Sequence, residues 1–396
     1  MFCLRVSRLK KLLLIVVGIP LAAALGWWYF RPPGLPDYGP AYREYAYVSN
    51  GKSNTVSIID LRTFELAKTI SVGANPTGIA ANSKKNEVYV VNTVSDNVSV
   101  IDAERNAVVA TIGVHATPYF ISVSDDGKRA YVANSASNNV SVLDLEKRAD
   151  IANIRVGISP GLARVSPDGK TVVVSNRGDD SVSLIDAAGL RVRGTIPVCK
   201  EPTDIAILPD NSKAFVACSG SAQVASIDLT VDKLLALLDV GKTPVALVLK
   251  PDGGELIVCN FDSDNISIIE TTTNEVGGTY LIGDGPTRAV VSADNSRLYV
   301  SNFNSNTVAV YDIDIGKLVA TLPTGSHPDG LALSQSQNYL LVLNSESGDL
   351  SVIQKRTPRK KFEPGEYSLL TMIPVGLQPN AVAVKAFRAT KPANAR

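Results

Sequence analysis

The sequence predicts an all-β fold in which one four-stranded unit is repeated eight times and closes into a ring. Three observations predict it: a run similar to YVSN recurs eight times, a run similar to VSIID follows each copy, and Gly-x-x-Pro turns separate many of the units. Four short antiparallel strands in about 40 to 45 residues are typical of a blade of a β-propeller. The predicted fold class is therefore a β-propeller with eight four-stranded blades.

The first run of each unit starts exactly one period after the previous one. The copies begin at residues 47, 89, 131, 173, 215, 257, 299 and 341, a constant spacing of 42. The second run begins at residues 56, 98, 140, 182, 224, 266, 308 and 350. Both runs are short, rich in β-branched and aromatic residues, and bounded by Asn, Ser, Gly or Asp, which favours strands over helices.

Two further strands complete the unit. A third run resembles ELAKTISVG from Glu65, and a fourth follows the turn that ends at Pro76. We call the strand after the turn A, the YVSN strand B, the VSIID strand C and the third run D. Complete sets of A to D begin at Pro76, Pro118, Pro160, Pro202, Pro244, Pro286 and Pro328.

The two ends of the repeat region complement each other. Residues 45–72 supply strands B, C and D without an A strand, and residues 379–387 supply an A strand alone. Joining these fragments predicts that the last blade is closed by the N-terminal strands plus the C-terminal strand. Such closure removes the free sheet edges that favour aggregation.

The segment before the repeats predicts an N-terminal transmembrane helix. Residues 1–11 contain four basic and no acidic residues, and the uncharged run 12–30 ends in Trp27, Trp28 and Tyr29. Nineteen uncharged residues can just span a bilayer, and the basic flank should stay cytoplasmic. The prediction is a signal-anchor at the cell membrane, single-pass, with the propeller on the extracytoplasmic side, either periplasmic or at the cell surface. A cleaved signal peptide, with Ala22, Ala23 and Ala24 near the cleavage point, is the alternative.

These segments divide the chain into four predicted regions. Residues 1–30 are the basic flank and anchor, 31–44 a Pro- and Gly-rich linker, 45–387 the propeller and 388–396 a disordered tail.

Charge and cysteine content exclude several function classes. Lys plus Arg total 39 and Asp plus Glu total 38, so a net charge of +1 gives no field that would recruit nucleic acid. The four cysteines, Cys3, Cys199, Cys218 and Cys259, have no metal-ligand spacing, and we interpret them as small buried apolar residues rather than as a disulfide framework. Between Cys218 and Cys259 no bond is expected.

The repeats resemble the YVTN-repeat β-propeller family of surface-layer and exported proteins. The YVSN-like and VSIID-like runs carry the resemblance, together with the VGxxP turns that end at Pro76, Pro160, Pro244 and Pro328 and the SPDGK hairpin at 166–170. Members of that family commonly have seven blades, which makes seven the alternative count. Lactonases, the large chain of amine dehydrogenases and the haem d1 domain of nitrite reductases are similar propellers, so the resemblance implies architecture rather than chemistry.

Departures from the repeat near the predicted central mouth are the candidate ligand-binding residues. Chain direction places the D-A and B-C loops on one face, where the A strands begin around the channel. The candidates are Tyr119, Phe120, Arg164, Arg177, Glu201, Asp204, Phe261, Arg288, Phe303, His327 and Asp329. Two or more arginines, several aromatics and carboxylates suit a polar or anionic ligand. A channel that is merely polar and filled with water is the alternative.

Other conspicuous residues favour structural roles or a lone contact. His327 could ligate a metal or haem, but with only His115 besides it no multi-histidine metal site can form. No GxSxG elbow supports a Ser-His-Asp arrangement. The carboxylates that end the C strands (Asp60, Asp102, Asp144, Asp186, Asp228, Glu270 and Asp312) should bind backbone amides in turns. The same structural role is expected for Asn50, Asn92, Asn134, Asn176, Asn260, Asn302 and Asn344.

One unit is longer than the others and is basic. Residues 350–376 contain about nine extra residues between strands C and D, with Lys355, Arg356, Arg359, Lys360 and Lys361 in or beside the insertion. This loop lies on the face where the chain enters the propeller, so these residues are the predicted membrane contact, with anionic headgroups as partners. A solvated loop is the alternative.

The sequence thus predicts a membrane-anchored, extracytoplasmic propeller that acts as a binding and interaction scaffold for a protein partner or small ligand. No cofactor, catalytic residue or metal site is predicted, and an enzymatic role is less favoured. The competing hypothesis is a lactonase-like or redox enzyme with a metal or cofactor over the central channel.

Overall fold

A computed structural model describes residues 39–356 and 366–389, and within them 32 strands form eight four-stranded antiparallel sheets. The first sixteen are β1 (Tyr42–Asn50), β2 (Thr55–Asp60), β3 (Glu65–Ser71), β4 (Pro76–Ala81), β5 (Glu87–Asn92), β6 (Asn97–Asp102), β7 (Ala107–Gly113), β8 (Pro118–Val123), β9 (Arg129–Asn134), β10 (Asn139–Asp144), β11 (Ala149–Arg155), β12 (Pro160–Val165), β13 (Thr171–Asn176), β14 (Ser181–Asp186), β15 (Arg191–Pro197) and β16 (Pro202–Ile207).

The second sixteen are β17 (Lys213–Cys218), β18 (Gln223–Asp228), β19 (Lys233–Asp239), β20 (Pro244–Leu249), β21 (Glu255–Asn260), β22 (Asn265–Glu270), β23 (Glu275–Leu281), β24 (Pro286–Val291), β25 (Arg297–Asn302), β26 (Thr307–Asp312), β27 (Lys317–Pro323), β28 (Pro328–Leu333), β29 (Tyr339–Asn344), β30 (Asp349–Lys355), β31 (Tyr367–Pro374) and β32 (Pro379–Arg388). A 3-10 turn, Phe261–Ser263, follows β21.

The sheets are the blades of a closed ring, which confirms the predicted β-propeller and the count of eight. Blades 1 to 7 are the consecutive groups β4–β7, β8–β11, β12–β15, β16–β19, β20–β23, β24–β27 and β28–β31, and blade 8 has the order β3-β2-β1-β32. The inner strands contact one another in sequence from β4 to β32, and β32 contacts β4. The predicted closure of the last blade by both ends of the repeat region is therefore correct.

The predicted membrane segment 12–30 and most of the linker lie outside the described residues, as do 357–365 and 390–396 of the predicted basic insertion and tail. In the ranges that the structure does describe, no helix has the length and apolar content needed for a membrane span.

Blade 8 is joined to both neighbours by specific hydrogen bonds. In the β1–β32 pair Tyr45 lies opposite Lys385. The buried Glu44 carboxylate accepts the Gln335 amide of blade 7 at 2.6 Å, and the Asn380 side chain donates to the Pro76 carbonyl of blade 1 at 2.8 Å. These contacts connect residues at opposite ends of the chain, so the last blade completes the ring.

The core lies between blades, which explains why the B and C strands show little polar alternation. Strand β5, for example, buries five of its six residues, because its two faces pack on different neighbouring sheets. The four largest fully buried side chains are tyrosines at one repeat position, Tyr47, Tyr89, Tyr131 and Tyr299. Their rings add apolar area to the core, and a buried tyrosine hydroxyl usually finds a hydrogen-bond partner, as Tyr47 does with Asn106 at 2.7 Å.

The mouth face carries the D-A and B-C turns, as predicted from chain direction. The residue before each A strand has a positive φ, as at Asn75 and His327, and its carbonyl accepts an amide from the B-C turn of the same blade. The Thr93 amide donates to the Asn75 carbonyl at 3.0 Å, and the Ser345 amide donates to the His327 carbonyl at 2.9 Å. The A-B and C-D turns lie on the opposite face.

The seven predicted structural asparagines are completely buried and join strand B to strand C. The Asn92 amide, for instance, donates to the Asn97 side chain at 2.7 Å and to the Ser99 hydroxyl at 2.9 Å. A glycine of the D-A turn packs against each of six of them: a Cβ placed on Gly73 would lie 2.7 Å from the Asn92 side chain. We call this contact the Gly·Asn contact. The asparagine therefore acts by side-chain bonding as well as by ending the strand.

Blade 4 corrects the interpretation of the cysteines. Cys199 and Cys218 form a disulfide with a Cα–Cα distance of 5.6 Å, whereas Cys259 is a buried free thiol. In the 42-residue register these two cysteines occupy the places of the glycine and the asparagine. The Gly·Asn contact brings those two positions together in six of the other seven blades, which places the two cysteines within reach of each other. Cys3 lies outside the described residues.

The six aspartates at the ends of the C strands bind backbone amides, as the sequence predicts, whereas in the described residues the Glu270 side chain binds none. Asp60 Oδ1 accepts the Arg62 amide at 2.8 Å, and Asp102 Oδ1 accepts the amides of Glu104 and Arg105. Each of these aspartates thus stabilises a C-D turn on the face opposite the mouth.

Candidate functional site: the central mouth

The A strands bring several predicted residues to the channel. Successive side chains of a strand point to opposite faces of its sheet. Residues one, two and four places after the opening proline therefore approach the channel from different faces of their blades. Tyr119 and Phe120 come from β8, Arg164 from β12, Asp204 from β16 and Arg288 from β24. Each of several inner strands thus carries one or two residues that differ from the repeat.

The first cluster joins blades 2, 3 and 4. Arg164 Nη2 lies 3.4 Å from Asp204 Oδ1, and the Arg164 guanidinium carbon lies 5.5 Å from the centre of the Phe120 ring. Asp204 also accepts the Leu247 amide of blade 5 at 3.0 Å. Within the described residues the buried Nε of Arg164 has no hydrogen-bond partner. A buried donor without an acceptor is costly, but this atom is covered by protein. The Arg164 side chain as a whole is 37% accessible, so a ligand oxygen would contact its remaining N–H donors.

The second cluster is the pair Arg288 and Asp329, from blades 6 and 7. Arg288 Nε lies 3.9 Å from Asp329 Oδ1, and its Nη1 donates to the Val245 carbonyl at a long 3.5 Å. The Arg288 side chain is 48% accessible because it faces the channel. Partial removal from water disfavours its charge, but Asp329, Asp204 and Tyr119 outweigh this and raise the pKa of Arg288. The Arg288 charge therefore interacts with groups of blades 2, 4 and 7 around the channel.

The third cluster is aromatic and lies on the mouth face above blades 5 to 7. The His327 ring stacks on Phe303 with ring centres 4.3 Å apart, and Phe303 contacts Phe261 at 6.2 Å. His327 Nδ1 lies 3.3 Å from the Glu346 carboxylate. Sequence reasoning missed Glu346; its only signal was an acid in the B-C turn two residues after the buried Asn344.

The remaining predicted residues are not drawn into these clusters. Glu201 has a φ of +51° in the turn before Pro202 and accepts a weak bond from Ser219 at 3.4 Å. Arg177 is exposed and its aliphatic stem covers Gly161, where a Cβ would lie 3.1 Å from its Cδ. Tyr119 is 54% exposed at the rim. The structure thus separates the predicted site into three groups rather than one.

The donor set of the mouth suits anion binding better than metal binding. In the ranges 39–356 and 366–389 no group of three or more His, Cys, Asp or Glu could hold a metal ion. A guanidinium offers five N–H donors in a fixed plane, and the bonds that Arg164 and Arg288 already make are long. Both side chains therefore retain donors for a carboxylate or phosphate oxygen.

Of the predicted membrane-contact residues, Lys355 ends β30 and Arg356 follows it, on the face opposite the mouth. Lys355 Nζ lies 3.9 Å from Glu366, and Arg356 Nε donates to the Gln354 side chain at 3.1 Å. Arg359, Lys360 and Lys361 lie outside the described residues.

Comparison with known families agrees with the fold. A family model described as YNCE-like β-propeller matches residues 16–165, and one described as lactonase, seven-bladed β-propeller, matches residues 283–364. Both families are β-propellers, and the eight sheets show independently that this chain has the same fold. No protein with curated annotation matches the sequence.

Solved structures similar to the chain share its architecture at low sequence identity. Hydrazine synthase of Kuenenia stuttgartiensis superimposes with a TM-score of 0.59 at 23% identity, over 70% of this chain and 95% of that one. The dihydro-heme d1 dehydrogenase NirN, in complex with DHE, gives 0.70 at 14% identity, over 91% and 77%. A protein of unknown function from Desulfotomaculum acetoxidans gives 0.58 at 17% identity, over 86% and 98%. These likenesses show the fold alone.

Proposed function

We propose that the chain is a membrane-anchored, extracytoplasmic propeller of the YVTN-repeat type that binds a small anionic ligand at its central mouth and acts as a binding scaffold. The observation that carries the proposal is the pair of channel arginines, Arg164 and Arg288, with donors left over from their intramolecular bonds. A carboxylate or phosphate group fits the planar fork of a guanidinium. The aromatic group of Phe261, Phe303 and His327 would cover the apolar part of such a ligand.

Two features support an extracytoplasmic location. The disulfide between Cys199 and Cys218 is of the kind that persists in oxidising compartments. The uncharged run 12–30 is long enough for a membrane anchor, and the basic residues before it favour an orientation with the propeller outside.

Anion binding is tested by replacing each arginine separately with glutamine. Citrate and inorganic phosphate serve as probes in calorimetric titrations, and Arg155→Gln on the exposed outer strand β11 is the control for loss of one positive charge. We expect Arg164→Gln and Arg288→Gln to weaken binding of the better probe about tenfold or more, because each removes a charged donor. Equal binding by all four proteins would contradict the proposal, and so would a wild-type protein that binds neither probe.

The predicted contact of the basic insertion with anionic lipid remains a proposal as well. Each basic residue near a charged bilayer contributes roughly 1 kcal/mol. In a variant that lacks residues 1–38, reversing the charges of Lys355, Arg356, Arg359, Lys360 and Lys361 should abolish binding to anionic vesicles. Unchanged sedimentation with those vesicles would refute the contact.

One observation favours a second candidate, a lactone-hydrolysing enzyme. The seven-bladed lactonase family model matches residues 283–364, the part of the chain that contains Arg288, His327, Asp329 and Glu346. His327 beside Glu346 could take a proton from water. Proton release from γ-butyrolactone and δ-valerolactone, compared between the protein and its His327→Gln variant, distinguishes this candidate from a scaffold. An absorption spectrum and metal analysis of the purified chain test the redox form of the enzyme hypothesis.

A further inference from the structure

A cleft of about 210 Å³ opens between blades 5 and 6, on the face opposite the mouth. Blade 5 lines it with Lys250, Glu255, Glu270 and Tyr280, and blade 6 with Tyr311. Drug-sized ligands occupy roughly 300 to 1,000 Å³, so this cleft is suited to a smaller molecule.

Five of the eleven residues that line the cleft are departures from the repeat. Tyr311 occupies the place of Ile59, Ile101, Leu143, Ile185, Ile227, Ile269 and Ile353. Tyr280 occupies the place of Ile70, Ile112, Ile154, Ile196, Leu238, Leu322 and Ile373. Lys250 replaces a small polar residue or leucine in the other uninterrupted units, Glu270 replaces aspartate, and Gly277 stands where the neighbouring strands carry Leu235 and Val319. Unrelated substitutions would be scattered around the ring, whereas these converge on one space.

Two glycines of β23 make room for the cleft. The aliphatic residues at the Tyr280 position are mostly buried, with Ile112 3% and Leu238 8% exposed, whereas Tyr280 is 43% exposed. Its ring folds back over its own strand. This is shown by the Tyr280 hydroxyl, which lies only 2.8 Å from where a Cβ on Gly278 would be. Its centre lies 6.0 Å from that of the Tyr311 ring. The absence of a side chain at Gly277 leaves the space beside Glu270 open, 3.9 Å from Glu270 Cγ.

The cleft has an excess of negative charge. Lys250 Nζ lies 3.0 Å from Glu255 and 3.8 Å from Asp252, so its charge is already neutralised. Glu270 forms no ion pair within 4.0 Å in the described part of the chain, although its charge acts on the Lys250 ammonium from further away. A cation placed between Glu270 and the two tyrosines would gain a charged hydrogen bond and contact with aromatic faces.

We infer that this cleft between blades 5 and 6 is a binding site for a small organic cation, an ammonium group on a short apolar stem. Glu270 binds the ammonium group, Tyr280 and Tyr311 flank it, and Ile257 and Ile268 contact the stem. The site is independent of the mouth, because it lies on the other face and shares no residue with it.

The test uses the full chain, purified in a non-ionic detergent, and saturation-transfer NMR with three probes of equal length. Butylammonium should receive saturation from the protein, whereas butanol should bind more weakly and butyrate should not bind. Glu270→Gln should weaken butylammonium binding about tenfold or more, since it removes the charged partner. Gly277→Leu, which places the residue of the preceding blade in the cleft, should abolish it.

Glu275→Gln is the matched control, because it makes the same change of charge at an exposed position of the neighbouring strand β23. Butylammonium binding to this variant should equal that of the wild type. If Gly277→Leu fails to fold, the comparison of Glu270→Gln with Glu275→Gln still tests the inference. The inference is overturned by absent butylammonium binding, by equal binding of butyrate, or by equal weakening in both charge variants.

Discussion

The two faces of the ring hold their turns by different means. On the mouth face an uncharged contact between a D-A residue and a buried B-C asparagine recurs, as in Gly241·Asn260, and in blade 4 a disulfide takes its place. On the opposite face carboxylates accept turn amides and hydroxyls, as Asp294 does from Ser292 and Ser296. Steric and redox changes should therefore act mainly on the mouth face. Acid should act on both faces, because Asp180 and Asp264 also accept turn amides on the mouth face.

The largest effect is expected from the disulfide of blade 4. Cys218→Ser should lower the free energy of unfolding by roughly 3 kcal/mol, the value for a bridge that closes a loop of this length. Chemical denaturation with and without reductant measures it. Reductant should shift the wild-type midpoint and leave the variant unchanged; a wild-type midpoint that ignores reductant would contradict the assignment.

The same turn offers a further comparison. Blade 4 also has Ala225 where blade 1 has Ser99, an acceptor of the buried asparagine. The triple change Cys199→Gly, Cys218→Asn and Ala225→Ser rebuilds the Gly·Asn contact with its acceptor. It should recover part of the stability that Cys218→Ser loses and should be insensitive to reductant.

A smaller loss is expected when the Gly·Asn contact is overpacked. A Cβ on Gly241 would lie 2.7 Å from Asn260, so Gly241→Ala should cost about 1 to 3 kcal/mol. Gly113→Ala is the control, because nothing lies within 4 Å of its Cβ position. Thermal unfolding should separate the two variants clearly. Equal melting temperatures would mean that the turn yields without cost.

Removal of one acceptor of the asparagine should have a smaller effect still. Asn260 donates to Ser267 at 2.9 Å, and Ser267→Ala should cost about 1 kcal/mol, the usual net value of a hydrogen bond. Blade 6 already has Ala309 at this position, so Ala309→Ser should stabilise the protein slightly. Denaturant midpoints of the two variants should move in opposite directions.

The smallest effect is expected on the opposite face, from Asp294. A hydrogen bond from Ser292 lowers the pKa of this carboxyl well below its ordinary value. A depressed pKa contributes stability above the ordinary pKa, near pH 4, and this stability is lost as the pH falls further. The melting temperature should therefore decrease when the pH is lowered below about 4, and Asp294→Asn should make this decrease smaller. An identical pH profile in the variant would contradict this role.

The scaffold was predictable because period and turn chemistry are local properties of the sequence. The constant spacing from Tyr47 to Leu341 fixed eight units, and the unpaired strands at the two ends required a shared blade. The disulfide was missed because the contact between the D-A glycine and the B-C asparagine is invisible without coordinates. The available signal was that Cys199 and Cys218 replace both partners of that contact in register.

The candidate sites were harder to predict than the scaffold, for a geometric reason. Neighbouring A strands turn their side chains towards different blades, so Arg164, Arg288 and His327 belong to three groups although all lie near opening prolines. The blade 5–6 cleft was missed because its residues are spread from Lys250 to Gly316 and two of them are glycines. Departures from a repeat become informative once the fold shows which of them share a space.

The shared last blade has a consequence for the time course of biosynthesis. Ser49 of β1 and Ala381 of β32 are bonded across 332 residues of chain. At about 5 to 20 residues per second, ribosomes need roughly 15 to 70 seconds to make that length. Throughout this interval the inner edge of β1 has no partner strand. A nascent chain must therefore be shielded from pairing with other copies until β32 has been synthesised.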